Sequence, residues 1–148
     1  MFVTVLIKPP FVNDVSQPVI DNPLVQALLE RLNGRGLMAQ SFVHYLTHQD
    51  MYDMYGHVSN TPFWTRMVAL YQSGPCLVLK IQPTVPEDTE FVSFIRGIIG
   101  ASVNPAEGTL RRQFGDFSNP NIWHNNGFHC SDSYEAGERE WGLLAYRL

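Results

Sequence analysis

Long hydrophobic runs are missing from this 148-residue chain, and no stretch approaches the roughly 18–20 apolar residues that span a bilayer. The apolar N-terminal run at 2–7 is short and has no basic flank, so it does not read as a secretory signal. The expected setting is therefore the cytosol, with no membrane partner. Cysteine is scarce: Cys76 and Cys130 make neither a disulfide framework nor a CxxC cluster. Net basic charge is lacking too. A formal charge of −4 argues against general nucleic-acid binding, and no specific nucleic acid is expected. Lysine is nearly absent, with only Lys8 and Lys80 beside eight arginines, which directs attention to each.

What the chain does contain is the pattern of one domain over 1–148. Residues 2–7 are β-branched and apolar and end at Pro9-Pro10, as a buried strand does. Residues 11–21 have no period and read as a loop. Asn22 as N-cap, Pro23 at the first position and Asn33-Gly34 as the stop bracket a helix, with Leu24, Val25, Leu28, Leu29 and Leu32 on one face. A second strand is expected at 37–46, although its alternation is imperfect. Thr47 and Asp50 form a capping box for a short helix through Tyr55, and Thr61-Pro62 opens another that ends at Ser73-Gly74-Pro75. Residues 76–81 make a third strand. Glu87 and Asp88 lead into a helix carrying Phe91, Phe94, Ile95, Ile98 and Ile99.

From Gly100 to Phe128 the chain has no sustained period, and a loop of that length in a compact domain signals function. A short last strand around 127–130 follows. Asp132 or Ser133 then caps a helix to about Leu144, with Glu135 placed as a capping-box partner of Asp132. The order contains a βαββαβ core. It predicts an α+β, ferredoxin-like fold: a four-stranded antiparallel sheet covered by helices, with a long functional loop.

This arrangement would bring Lys8, Arg96, Arg111 and His129 together at strand ends and in the loop. Two arginines and a lysine suit a polyphosphate, and a neutral imidazole beside them is a plausible phosphoryl acceptor. His44, His48, His57 and His124 read as structural or solvated. Zinc ligation by His124 and His129 is disfavoured, because there is a single nearby cysteine and no i,i+4 histidine pair.

The segment from Asn126 through His129, Ser131, Asp132 and Ser133, with a glutamate seven positions on at Glu140, resembles the active-site signature of the nucleoside diphosphate kinases. Four further blocks agree in order: Leu6-Ile7-Lys8-Pro9, Ser73-Gly74-Pro75, Asn104-Pro105 and Gly108-Thr109-Leu110-Arg111. The resemblance implies a phosphotransferase in which His129 takes the γ-phosphoryl group of a nucleoside triphosphate and passes it to a diphosphate. Glu140 would accept a hydrogen bond from Nδ1 of His129, and Ser131 would bond this glutamate. Lys8, Tyr55, Arg96 and Arg111 would surround the phosphates, while Lys8 and Asn126 would touch the ribose. Phe63 would stack on the base beside Met67, though an i,i+4 apolar pair on a helix equally fits packing. Mg²⁺ would arrive on the nucleotide phosphates, with no metal site of the protein's own. A homo-hexamer or tetramer built from dimers is implied as well.

The chain departs from the pattern in places. Pro10-Phe11 replaces the usual Asp-Gly, and about eight extra residues precede the first helix. One extra residue before Asn104 leaves either Ser102 or Val103 at the phosphate-contacting threonine position, of which only Ser102 has a hydroxyl. About five residues are added within 115–125, which leaves the oligomer type open. An inactive nucleotide-binding or assembly module is the alternative reading, and a regulator handing phosphate to a protein is a third. The retained His129, Ser131 and Glu140 favour the enzyme.

Overall fold

A computed structural model describes residues 1–119, 122 and 124–146. Four strands, β1 (Val3–Ile7), β2 (Gly36–His44), β3 (Cys76–Pro83) and β4 (Phe128–Cys130), form one sheet in the order β2-β3-β1-β4. Every pairing is antiparallel, as the ferredoxin-like expectation requires. The helices are α1 (Pro23–Leu32), α2 (His48–Tyr55), α3 (Trp64–Tyr71), α4 (Phe91–Ile99), α5 (Leu110–Gln113) and α6 (Tyr134–Ala145).

All five residues of β1 are buried, which explains its continuous apolar run: helices cover both faces of the sheet. Because side chains alternate along a strand, Val3, Val5 and Ile7 join Leu77, Leu79 and Ile81 against α1 and α4. Leu6, Cys76 and Val78 point the other way, into a second cluster with Met51 and Met54 of α2, Trp64, Met67 and Tyr71 of α3, and Leu144 of α6. His129 pairs across the sheet with Leu6. The alternation therefore puts its side chain on the α2, α3 and α6 side, while Phe128 and Cys130 enter the opposite core.

The helix punctuation is largely as expected. Asn22 accepts from the N–H groups of Leu24 and Val25, and Asn33 ends α1 in the left-handed conformation (φ 51°). Thr47 and Asp50 complete their reciprocal capping box. One helix start differs, and another settles between its two expected caps. α4 begins at Phe91 rather than at Glu87 and Asp88: Glu87 has φ 63°, and Asp88 accepts from the N–H of Glu90 and from Arg35, so the acidic pair builds a turn. α6 is capped by Ser133, which accepts from the N–H of Ala136, so Asp132 is left for other use and Glu135 is not its capping partner.

Strand β2 carries a register shift between Met38 and Gln40, the physical source of its broken alternation. The segment 11–21 contains a short 3-10 turn at Val19–Asp21 within its loop. The long loop after α4 is also more ordered than its sequence suggests. Thr109 caps α5, Gly115 bridges to Asn126, and the N–H of Gly127 bonds the carbonyl of Phe114 at 2.8 Å. Residues 120, 121 and 123 of the enlarged 115–125 segment lie outside the described residues.

Candidate active site

A cavity of about 260 Å³ opens on the His129 side of the sheet. Its walls include Lys8, Tyr55, Met67, Arg96, Ser102, Arg111, Asn126, His129, Ser131 and Glu140, ten of the eleven residues expected from the sequence. The eleventh, Phe63, lies half-buried at the start of α3, its ring 6.3 Å from that of His124. Ser102 lines the cavity, whereas Val103 is 59% exposed to solvent. Met67 is almost wholly buried within the second core cluster, so packing is at least part of its role.

His129 is held from both ring nitrogens. Nε2 bonds Glu140 Oε1, and Nδ1 bonds the hydroxyl of Tyr55. A carboxylate only accepts, so the proton belongs on Nε2, leaving the Nδ1 lone pair to accept from Tyr55. This corrects the expected orientation: Glu140 holds Nε2, and Nδ1 is the ring nitrogen turned away from the carboxylate. Helix α6 packs along β1 and brings Glu140 to the Nε2 edge of the ring.

Ser131 also differs from expectation. Its hydroxyl donates to the carbonyl of Thr4 and accepts from the N–H of Thr4, both at 3.0 Å. It thus extends the β1–β4 pairing just beyond Cys130 instead of bonding Glu140. Asn126 plays a comparable local part, its side-chain oxygen accepting from the N–H of Phe128.

The cations are set up for an anion. Lys8 is only 2% exposed; its ammonium donates to the carbonyl of His124 at 2.9 Å and lies 5.0 Å from the ring centre of Tyr71. Neither partner is a carboxylate. Burial, and then the Arg111 charge, hold the Lys8 ammonium well below the usual lysine range. Arg111 donates to the carbonyls of Phe128 (3.3 Å) and Gly100 (2.8 Å), which tie the long loop to β4 and aim the guanidinium. Burial lowers its pKa too. Two buried like charges held by carbonyls and a ring are costly, and an anion placed between them would offset that cost. Arg96, on the solvent-facing side of α4, adds a third cation at the rim.

Two contributors escaped the sequence reading. Tyr71 lines the cavity, and its hydroxyl lies 3.1 Å from that of Tyr55. The signal was available: Phe63, Met67 and Tyr71 recur at i, i+4 and i+8 around α3. His124 supplies the carbonyl for Lys8, and burial, then Lys8 and Arg66, lower its pKa to about 4. Its role runs through the main chain, which residue type does not reveal.

A ferredoxin-like sheet presenting an oriented histidine beside buried cations defines a phosphotransferase. The family model for nucleoside diphosphate kinase matches residues 4–145. The nucleoside diphosphate kinase of Prosthecochloris aestuarii is 31% identical over 124 residues, covering 82% of this chain and 81% of the relative. That of Herpetosiphon aurantiacus is 31% identical over 128 residues, covering 84% and 79%. Among solved structures, the nucleoside diphosphate kinase of Encephalitozoon cuniculi superposes with a TM-score of 0.71 at 24% identity, covering 96% of this chain and 86% of the other. The Aquifex aeolicus enzyme gives 0.69 at 19%, covering 96% and 92%. The chain belongs to the nucleoside diphosphate kinase family.

Proposed function

We propose that this chain moves the γ-phosphoryl group of a nucleoside triphosphate to a nucleoside diphosphate through a phosphohistidine on Nδ1 of His129. The observation that supports this reading is the ring of His129, anchored at Nε2 by Glu140 and lining a cavity shared with Lys8 and Arg111. In the first half-reaction the Nδ1 lone pair attacks the γ-phosphorus. The Nδ1–P bond forms as the P–O bond to the β-phosphate breaks, and the electron pair leaves with the diphosphate. The second half-reaction reverses these events with a different diphosphate, which makes the exchange ping-pong.

Each residue has a part in this proposal. Glu140 fixes the tautomer and balances the positive charge that the ring gains on attack. Lys8, Arg96 and Arg111 hold phosphate oxygens, Tyr55 stands beside them against Nδ1, and Ser102 adds a hydroxyl at the rim. Phe63 and Met67 receive the base, with stacking worth about 1–3 kcal/mol for any base. Asn126 and Lys8 meet the ribose. Ser131 acts through β4, keeping His129 in register. A single domain over 1–148 is enough for these roles.

The donor set fits Mg²⁺ brought in on its nucleotide. Among the described residues no group of three or more His, Cys, Asp and Glu side chains is placed to hold a metal, and Asp132 is a second carboxylate on the cavity wall. The ion would supply charge neutralisation on the phosphate oxygens. We further propose a homo-oligomer, a hexamer or tetramer built from dimers, working in the cytosol. Among the described residues no helix is long and apolar enough to cross a membrane.

A trap-and-chase experiment tests the reading. Incubation with MgATP should leave acid-labile phosphate on His129, and added diphosphates should discharge it as triphosphates. Bound nucleotide without phosphohistidine or turnover would sink the enzyme and leave a binding module.

The buried Lys8 gives a pH prediction. Its ammonium has a lowered pKa in the free protein, so the cation is lost as pH rises through a value below the usual lysine range. A bound polyphosphate favours the charged form and raises that value again. The alkaline limb of kcat/KM, which reports the free enzyme, should therefore lie below that of kcat. Lys8→Arg, which stays charged, should lose the low limb. Coincident limbs in the ordinary lysine range would contradict the assignment.

A further inference from the structure

In the resting site the Nδ1 lone pair of His129 is occupied, because the Tyr55 hydroxyl donates to it. A lone pair engaged as a hydrogen-bond acceptor cannot attack phosphorus. Tyr55 must therefore turn its O–H elsewhere before His129 can react. Burial, foremost, holds the Tyr55 hydroxyl well above the usual tyrosine range, so its proton stays on oxygen and needs another acceptor.

That acceptor is at hand. The oxygen of Tyr71 lies 3.1 Å from the oxygen of Tyr55, with the two rings 5.4 Å apart at 52°. Tyr71 is 3% exposed and set in the wall between α3 and the cavity. Its ring meets the Lys8 ammonium, so the same side chain touches the phosphate-binding cation and the tyrosine that covers the nucleophile.

We propose that Tyr71 is a positioning residue for phosphoryl transfer: its hydroxyl oxygen accepts the Tyr55 O–H when that group leaves Nδ1, and so uncovers the nucleophile. No proton changes oxygen in this step. The Tyr55 O–H rotates from Nδ1 to Tyr71, and the Tyr71 O–H turns away from Tyr55 to make room. The exchange keeps the Tyr55 O–H donated in both positions, first to Nδ1 and then to Tyr71, so its cost is limited to the bond that Tyr71 had given Tyr55. The inference rests on His129 being the phosphoryl acceptor.

The test is a double-mutant cycle on the full-length protein with MgATP, reading the single-turnover rate of His129 phosphorylation and the nucleotide Kd separately. Tyr71→Phe keeps the ring over Lys8 and removes only the acceptor. Phosphorylation should slow about tenfold, the worth of one hydrogen bond, with Kd unchanged. In a Tyr55→Phe background nothing covers Nδ1, so adding Tyr71→Phe should produce no further slowing. A Tyr71→Phe protein that phosphorylates at the wild-type rate overturns the proposal. So does a tenfold loss that persists undiminished in the Tyr55→Phe background, since it would show that Tyr71 acts through general packing. A wild-type protein that never forms phosphohistidine would overturn the His129 reading as well, whereas a phosphorylated wild type with an unslowed Tyr71→Phe overturns this inference alone.

Discussion

His129→Ala should lose phosphoryl transfer by at least about 10⁴-fold while still binding nucleotide, because the chemistry passes through one atom and the cavity around it remains. The measurement is turnover from MgATP to a second diphosphate, with Kd taken by titration. The two buried cations at the cavity do not depend on the imidazole: Lys8 is held by His124 and Tyr71, and Arg111 by Phe128 and Gly100. Glu140→Gln gives the sharper comparison. Gln keeps the shape but removes the charge and offers an amide N–H₂ to Nε2, which would move the ring proton to Nδ1 and consume the nucleophile. The expected fall is about 10²–10⁴-fold in rate, in line with a catalytic histidine held in the wrong tautomer. Normal turnover in His129→Ala would remove the histidine from the mechanism altogether.

Gly137→Ala carries the second large effect, and it acts through packing. Helix α6 crosses β1 so closely that a Cβ at Gly137 would press on the carbonyl of Phe2 and lie 2.8 Å from the Cα of Val3. Both are backbone atoms, which do not rotate aside. Thr4 Oγ1 also donates to the Gly137 carbonyl at 2.7 Å, so the helix is pinned where it would be pushed away. Overpacking of this kind costs about 1–3 kcal/mol, a drop of several degrees in Tm for a chain of this size. The shift reaches the site as well, because Glu140 lies one turn further along α6 and must meet His129 Nε2. Turnover should fall together with Tm. Gly142→Ala on the same helix is the control: nothing lies within 4 Å of its added Cβ, so helix propensity should leave Tm unchanged or raise it. A Gly137→Ala protein melting at or above the wild type would refute the close-approach account.

The resemblance in the sequence reached well into the site, because the residues that define it are few, polar and fixed in spacing. Lys8 at the end of a buried strand and the His129 to Glu140 interval are local facts of chain and helix pitch. The helix stops at Asn33-Gly34 and the Thr47–Asp50 box were legible for the same reason: a cap is chosen by neighbours in sequence. The start of α4 was not. Asp88 is drawn into a pair with Arg35, 53 residues away, and that long-range bond outweighs a local preference for acidic residues in a first helical turn.

By itself the sequence determined the kind of protein: a βαββαβ chain with a histidine, a glutamate and three cations at set intervals. Tertiary structure alone decided which ring nitrogen Glu140 holds, that Ser131 serves β1 rather than Glu140, and that Tyr71 stands behind Tyr55. Those outcomes depend on the angle at which α6 meets the sheet and on how α3 faces α2. Such angles come from the packing of the whole core, where many small contacts sum to a preference that no single residue pattern announces.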